Sequence, residues 1–154
     1  RSTLFPYTTL FRSLADVGAI ANKGVLETPH FLISKGGQNV SWDSPGRAIS
    51  EDTAEEVTDM MRTVVQEGTA VKAQVKGYDI AGKTGTGEQA DESGGYASNK
   101  YVSSLIGFAP AGDAELLVYV GLNGTPYLAS GSAAPLFSTI MGPSLINMRV
   151  KPSA

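Results

Sequence analysis

The chain has 154 residues, a formal net charge of -3, 42% hydrophobic residues, 18 glycines, 8 prolines, a single histidine and no cysteine. That length suits one domain, the glycine and proline content asks for many turns rather than a helical bundle, and the missing cysteine excludes disulfides, thiolate catalysis and thiolate-held metals. Lysines and arginines are scattered singly, which gives no support to a nucleic-acid surface, and no apolar run reaches the roughly 18 residues that span a bilayer.

The first residues are unusual. Residues 1–13, RSTLFPYTTLFRS, carry a near-repeat, Ser2-Thr-Leu-Phe5 and Thr8-Thr-Leu-Phe11, with Arg-Ser at both ends. No helical or alternating period runs through them, and Pro6 is expected to interrupt any element. Thr3 to Ser13 resembles the conceptual translation of a common sequencing-adapter oligonucleotide. Residues 1–13 are therefore expected to be a non-native addition that packs poorly, and Ser2, Thr8, Thr9 and Ser13 are not taken as nucleophiles.

Leu14 to Asn22, followed by Lys23-Gly24, reads as the end of a helix with glycine at its cap, and Leu14, Val17 and Ala21 share a face. Val25 to Ile33 reads as a strand region interrupted at Thr28-Pro29, with His30 in a structural position beside it. Gly36 to Asn39 and Asp43 to Gly46 are turn material on either side of Trp42. The strongest helix runs from Glu51 to Gln66. Ser50 can cap it, Glu51 and Asp52 suit its first turn, and Gly68 stops it. Ala54, Val57, Met60, Met61, Val64 and Val65 form its apolar face, with Glu55, Glu56, Asp59 and Arg62 on the wet side.

Three strand runs come next: Tyr78 to Thr84, Lys100 to Ala109 and Glu115 to Leu122. A glycine-rich stretch, Thr86 to Asn99, separates the first two, and Pro110-Ala-Gly-Asp113 is a hairpin turn between the others. Gly131 to Met148 is a last helical region, with Pro135 near its start and Gly142-Pro143 expected to bend or break it. Two strands joined by a tight turn favour antiparallel pairing, so the fold class is mixed α/β (α+β). The expected layout has the three strands adjacent and antiparallel, with helices 51–66 and 131–148 on one face.

Gly77 to Thr84, GYDIAGKT, fits the phosphate-loop pattern letter for letter. A phosphate loop needs a strand before the first glycine and a helix at Gly-Lys-Thr, so that backbone amides wrap the phosphates. Here Tyr-Asp-Ile-Ala looks like strand interior, and the glycine-rich residues after Thr84 are poor helix material. The match is read as accidental. The same stretch ends in Lys83-Thr84-Gly85-Thr86, a Lys-Thr-Gly signature. On an edge-exposed strand, Lys83 supplies a cation, Thr84 and Thr86 supply hydroxyls, and Gly85 keeps the surface low for a substrate backbone. Lys83 and Gly85 share one face. Thr84 and Thr86 share the other, so a bulge or twist is needed if Thr86 is to join Lys83 in a cleft.

Three letters are a weak motif, but their surroundings add to it. ISEDTAEEVTDMMRTVVQEGTA (Ile49 to Ala70), GYDIAGKTGTGE (Gly77 to Glu88), GGYASNKYVSSLIGFAPA (Gly94 to Ala111) and GSAAPLFSTIM (Gly131 to Met141) stand in order and at the spacing of one known family. Residues 14–148 resemble the C-terminal half of the transpeptidase domain of class B penicillin-binding proteins, in particular the cell-division type. The resemblance implies a penicillin-binding, serine β-lactamase-like fold and a serine D,D-transpeptidase that cross-links peptidoglycan stem peptides. It implies that Lys83 helps the proton relay, that Thr84 and Thr86 bind a donor carboxylate, and that the Thr86 amide is half of the oxyanion hole. It implies stem peptides and β-lactams as ligands, no cofactor, metal or nucleic acid, and a parent anchored in the bacterial cell membrane with cell-division proteins, its catalytic domain extracytoplasmic.

Two of the family's three motifs have no counterpart here. None of the lysines at 23, 35, 72, 76, 83, 100 and 151 has a serine three positions before it, and Ser98-Asn99 lacks the middle residue of S-x-N. The chain is accordingly expected to be a fragment, with residues 14–150 forming the C-terminal half of the domain, and to be inactive alone. Thr69-x-x-Lys72 follows a helix end and is not taken as a nucleophile motif. Ser103 and Ser104 read as packing or ladder positions. Two alternatives stay open. A D,D-carboxypeptidase or β-lactamase remnant would share Lys-Thr-Gly, and a non-catalytic sensor or peptide-binding module would share the strand edge without needing a nucleophile.

Overall fold

A computed structural model describes residues 5–90 and 95–153. The first helix, α1, spans Phe5–Ala21. It reaches back into the stretch where Pro6 was expected to interrupt any element. Pro6 falls in the first turn, where a helix has no use for the missing amide.

The region between α1 and the next helix is mostly irregular. The strand expected over Val25 to Ile33 shrinks to β1 (Val25–Leu26), paired antiparallel with β4 (Gly46–Arg47). A second small hairpin joins β2 (Ser34–Lys35) to β3 (Gln38–Asn39) through Gly36 and Gly37, whose φ of 60° and 80° are the left-handed values such a turn requires. Phe31 and Ile33 stay exposed, with the Phe11 ring edge-on to Phe31 at 5.7 Å. His30 stacks on Trp42 with ring centroids 5.3 Å apart, and its Nδ1 donates to the Thr28 carbonyl.

Helix α2 spans Glu51–Gln66, as its periodicity requires. Ser50 Oγ accepts the Thr53 amide at 3.1 Å, which satisfies one orphan donor of the first turn. One core assignment changes. Met60 is 64% exposed, and Thr58 is buried in its stead with its hydroxyl donating to the Ala54 carbonyl. The apolar stripe is thus rotated slightly toward a threonine that can return its proton to the helix backbone. At Gly68 a Cβ would stand 2.8 Å from the Val64 backbone, so only glycine permits the tight exit from α2.

The main sheet has three antiparallel strands, β5 (Ala81–Ala90), β6 (Tyr96–Ala109) and β7 (Leu116–Thr125), in that order. The strands run further than expected at the spacer end, but β5 begins only at Ala81, since Tyr78 to Ile80 are irregular. β5 continues through Thr86 to Ala90, and β6 begins at Tyr96, so much of the glycine-rich spacer pairs. Asp91 to Gly94 lie outside the described residues. The hairpin at Pro110 to Asp113 closes as expected, with the Glu115 amide donating to the Ala109 carbonyl at 3.0 Å.

Helix α3 spans Ala133–Asn147 and continues through Gly142-Pro143 without a break. Gly142 serves packing, because a Cβ there would come within 3.2 Å of Val75 Cγ1. The two faces of the sheet carry separate cores. Phe137, Met141 and Leu145 of α3 pack with Leu105, Val120 and Val65 on one face. Ala81, Phe108 and Leu117 on the other face meet Val17 and Ile20 of α1. Helix α2 does not stay on α3's side as expected. Its Val65 joins the first cluster, while its Val57 and Met61 join the second.

Candidate active-site strand

Helix α2 and the C-terminal residues hold the start of β5 in place. Arg62 of α2 donates through Nε to Asp79 Oδ2 at 2.7 Å, and its Nη1 reaches Asp59 one turn back. Asp79 also gives its carbonyl to the Ala111 amide at 3.0 Å and its amide to Ser153 Oγ at 3.2 Å. Four segments therefore meet just before the strand begins. Next come Ile80, Ala81 and Gly82, all buried. Gly82 faces Gly107 across the ladder. A Cβ on Gly107 would lie 2.7 Å from the Ala81 carbonyl oxygen and 3.0 Å from Phe137 Cζ, so the ring of α3 rests where a side chain is absent.

Beyond this anchored start, β5 emerges toward solvent over Lys83 to Thr86. The register with β6 is unbroken from Ala81 to Glu88, and the irregularity falls at Glu88 to Ala90. No bulge brings Thr86 to the side of Lys83. Lys83 and Gly85 point to the face of Ile106 and Ser104, and Thr84 and Thr86 to the face of Leu105 and Ser103. The four residues share an edge. β5 has a single neighbour in the sheet, so its other side is unpaired among the described residues.

Each side chain already has a local partner. Exposed Lys83 donates from Nζ to the Thr84 carbonyl at 2.7 Å. Half-buried Thr84 places its Oγ1 2.6 Å from Thr69 Oγ1. Exposed Thr86 accepts the Ala129 amide through Oγ1 at 3.2 Å, which ties the strand to the turn before α3. At Gly85 a Cβ would lie 2.7 Å from Ser104 Oγ, so Ser104 would have to turn aside. An unpaired strand edge offers alternating amides and carbonyls to an extended peptide. Here that edge also carries one ammonium and two hydroxyls within a four-residue run.

Sequence reasoning missed Thr69. Its contact with Thr84 crosses 15 residues of chain, which no local pattern records. Ser103 is fully buried, with its hydroxyl donating to the Tyr127 carbonyl at 2.8 Å, and Ser104 reaches the Gly85 carbonyl at 3.5 Å. Both are ladder positions, as read. Lys83 sits inside a strand, so the phosphate-loop reading has no helix to stand on. Among the described residues no group of three or more His, Cys, Asp or Glu is placed to hold a metal ion. A groove of about 260 Å³ between α1 and α2, lined by Ile20, Thr58, Arg62 and Gly112 among others, includes none of residues 83–86.

With the Lys-Thr-Gly strand at a sheet edge and α2 and α3 packed against that sheet, comparison with known proteins becomes informative. The family model for the penicillin binding protein transpeptidase domain matches residues 9–142. The chain therefore belongs to that family. Stage V sporulation protein D of Bacillus subtilis is 37% identical over 94% of this chain and 24% of its own length. Peptidoglycan D,D-transpeptidase FtsI of Buchnera aphidicola is 35% identical over 92% of this chain and 25% of its own length. A solved structure from Atopobium parvulum, named for peptidoglycan glycosyltransferase activity, superposes with a TM-score of 0.81 at 47% identity, covering 90% of this chain and 33% of that one. That name states another reaction, but the stretch shared here is the one the transpeptidase model covers.

Within the family the chain is a class B transpeptidase-domain homologue covering part of the domain. It spans about a quarter of the length of the curated relatives it matches. The antiparallel sheet packed with helices is the penicillin-binding fold expected from the sequence. Among the described residues no helix is long and apolar enough to cross a membrane.

Proposed function

We propose that this segment supplies the Lys-Thr-Gly strand of a serine D,D-transpeptidase that cross-links peptidoglycan stem peptides and is acylated by penicillins. The observation that carries the reading is the placement of Lys83 to Thr86 on the free edge of β5, where an extended acyl donor can add as a further strand. The serine nucleophile and its base come from residues of the longer protein, because no S-x-x-K or S-x-N occurs here. Lys83 sets a positive field at the cleft and assists the proton relay. Thr84 and Thr86 hold the donor carboxylate, Gly85 leaves room for its backbone, and the Thr86 amide forms half of the oxyanion hole.

On the same reading residues 14–150 are the C-terminal half of the catalytic domain and residues 1–13 a foreign addition, although the family match begins at residue 9. The parent is anchored in the bacterial membrane beside the cell-division machinery, with this domain outside the cytoplasm. The family and the relatives named for transpeptidation and sporulation support an enzyme of the cell wall.

The test uses fluorescent penicillin. The 154-residue chain alone remains unlabelled, and the full-length protein that carries it is labelled. In that protein K83A lowers the second-order acylation rate without lowering the melting temperature. T86A keeps the amide and costs a hydroxyl's hydrogen bond to a charged group, about 1.5–3 kcal/mol. T86P removes the amide and approaches the roughly 3–4 kcal/mol lost with an oxyanion donor. An adduct mapped to any serine of the isolated chain, or a K83A protein that acylates at the wild-type rate, would overturn the assignment.

A further inference from the structure

The hydroxyls of Thr69 and Thr84 lie 2.6 Å apart, close enough that one must donate to the other. A threonine hydroxyl has one proton and two lone pairs. If Thr84 donates to Thr69, Thr84 turns only lone pairs toward the edge of β5 and repels an anion there. If Thr69 donates to Thr84, the Thr84 proton is free to point outward. The direction of a single proton therefore decides whether Thr84 can serve an anionic ligand.

The fold places Thr69 with little freedom. Gly68 makes the tight exit from α2, and the Ala70 amide donates back to the Val64 carbonyl at 3.1 Å. Ala70 is fully buried, so the exposed Thr69 between them is held at the surface over Thr84. The Lys83 ammonium, 2.7 Å from the Thr84 carbonyl, makes the same edge attractive to negative charge. A carboxylate arriving there accepts the Thr84 proton, and Thr69 fills the lone pair left on Thr84. Hydrogen bonds chained in this way strengthen one another.

We propose that Thr69 is a positioning residue that fixes the direction of the Thr84 hydroxyl, so that Thr84 donates to a carboxylate lying along the β5 edge. The proposal rests on the reading of Thr84 as a carboxylate-binding residue, and the test separates the two. Thr69 touches no reacting atom; it acts through Thr84. Its signature is therefore discrimination between ligands with and without a carboxylate, which a merely structural role would not alter.

The experiment measures second-order acylation of the full-length protein by benzylpenicillin and by its uncharged methyl ester. T69V, which keeps the side-chain shape but not the hydroxyl, is expected to lower the rate with the acid about fivefold, the equivalent of the one neutral hydrogen bond that orients Thr84, and to leave the ester rate nearly unchanged. T69S restores the acid rate, and melting temperatures of both variants match the wild type. T84V, which removes the donor itself, produces a larger loss, and T69V adds nothing on top of it. Equal losses for acid and ester in T69V, or losses that multiply in the double variant, would overturn the role of Thr69 and leave Thr84 in place. A T84V protein that acylates at the wild-type rate would overturn the carboxylate reading of Thr84 and, with it, this one.

Discussion

Gly85 is the residue of the strand edge whose side chain would meet a hydroxyl across the ladder, and the cost of restoring it can be worked out. In G85A the new methyl lies 2.7 Å from Ser104 Oγ, directly across the ladder. Relief requires turning Ser104 to another rotamer or shifting the strands, and such overpacking costs about 1–3 kcal/mol. Against that, replacing glycine by alanine within a strand recovers about 0.5–1 kcal/mol of chain entropy, since the glycine's φ is not in the left-handed region. The net loss is about 1 kcal/mol, or about 2–4 °C in Tm for a chain of this size. In S104A the clashing oxygen is gone, and its long 3.5 Å hydrogen bond to Gly85 contributes little. G85A made in the S104A background should therefore be neutral or slightly stabilising. Urea unfolding and thermal melts of the four proteins give the coupling energy. A G85A effect that is the same in both backgrounds would refute the contact as its cause.

Three further outcomes rest on the packing. R62M removes the cation from Asp79 at a site where the two side chains are 28% and 32% exposed, between the surface and buried limits, so urea unfolding should show a loss of about 2 kcal/mol. F137A empties a fully buried ring that rests on Gly107 and should cost about 3–5 kcal/mol by the same measurement. S50A removes the acceptor of the Thr53 amide and should lower stability by about 1 kcal/mol, which S50D should recover.

Where local chemistry decides, the sequence by itself was enough. The limits of α2 follow from Ser50, Glu51, Asp52 and Gly68, and the β6–β7 hairpin from Pro110 to Asp113 between two apolar runs. Lys83-Thr-Gly-Thr86 could be placed on a strand because Tyr78 to Ala81 cannot cradle a phosphate and Gly85 to Gly95 cannot start a helix. Contacts between distant segments were not legible. Whether β5 ended at Thr84 or at Ala90 depended on β6 being long enough to pair with it, and glycines that look like a loop will pair when a neighbour supplies the ladder. Val25 to Ile33 has strand composition but little to pair with, so only Val25 and Leu26 take the form. Met60 was displaced from the core because α2 must serve both faces of the sheet, and Thr58 occupies a buried position by bonding its own helix. The pairing of Thr69 with Thr84 came last and from tertiary structure alone. A hydroxyl's partner depends on where a turn and a strand meet in space, and no period along the chain records that meeting.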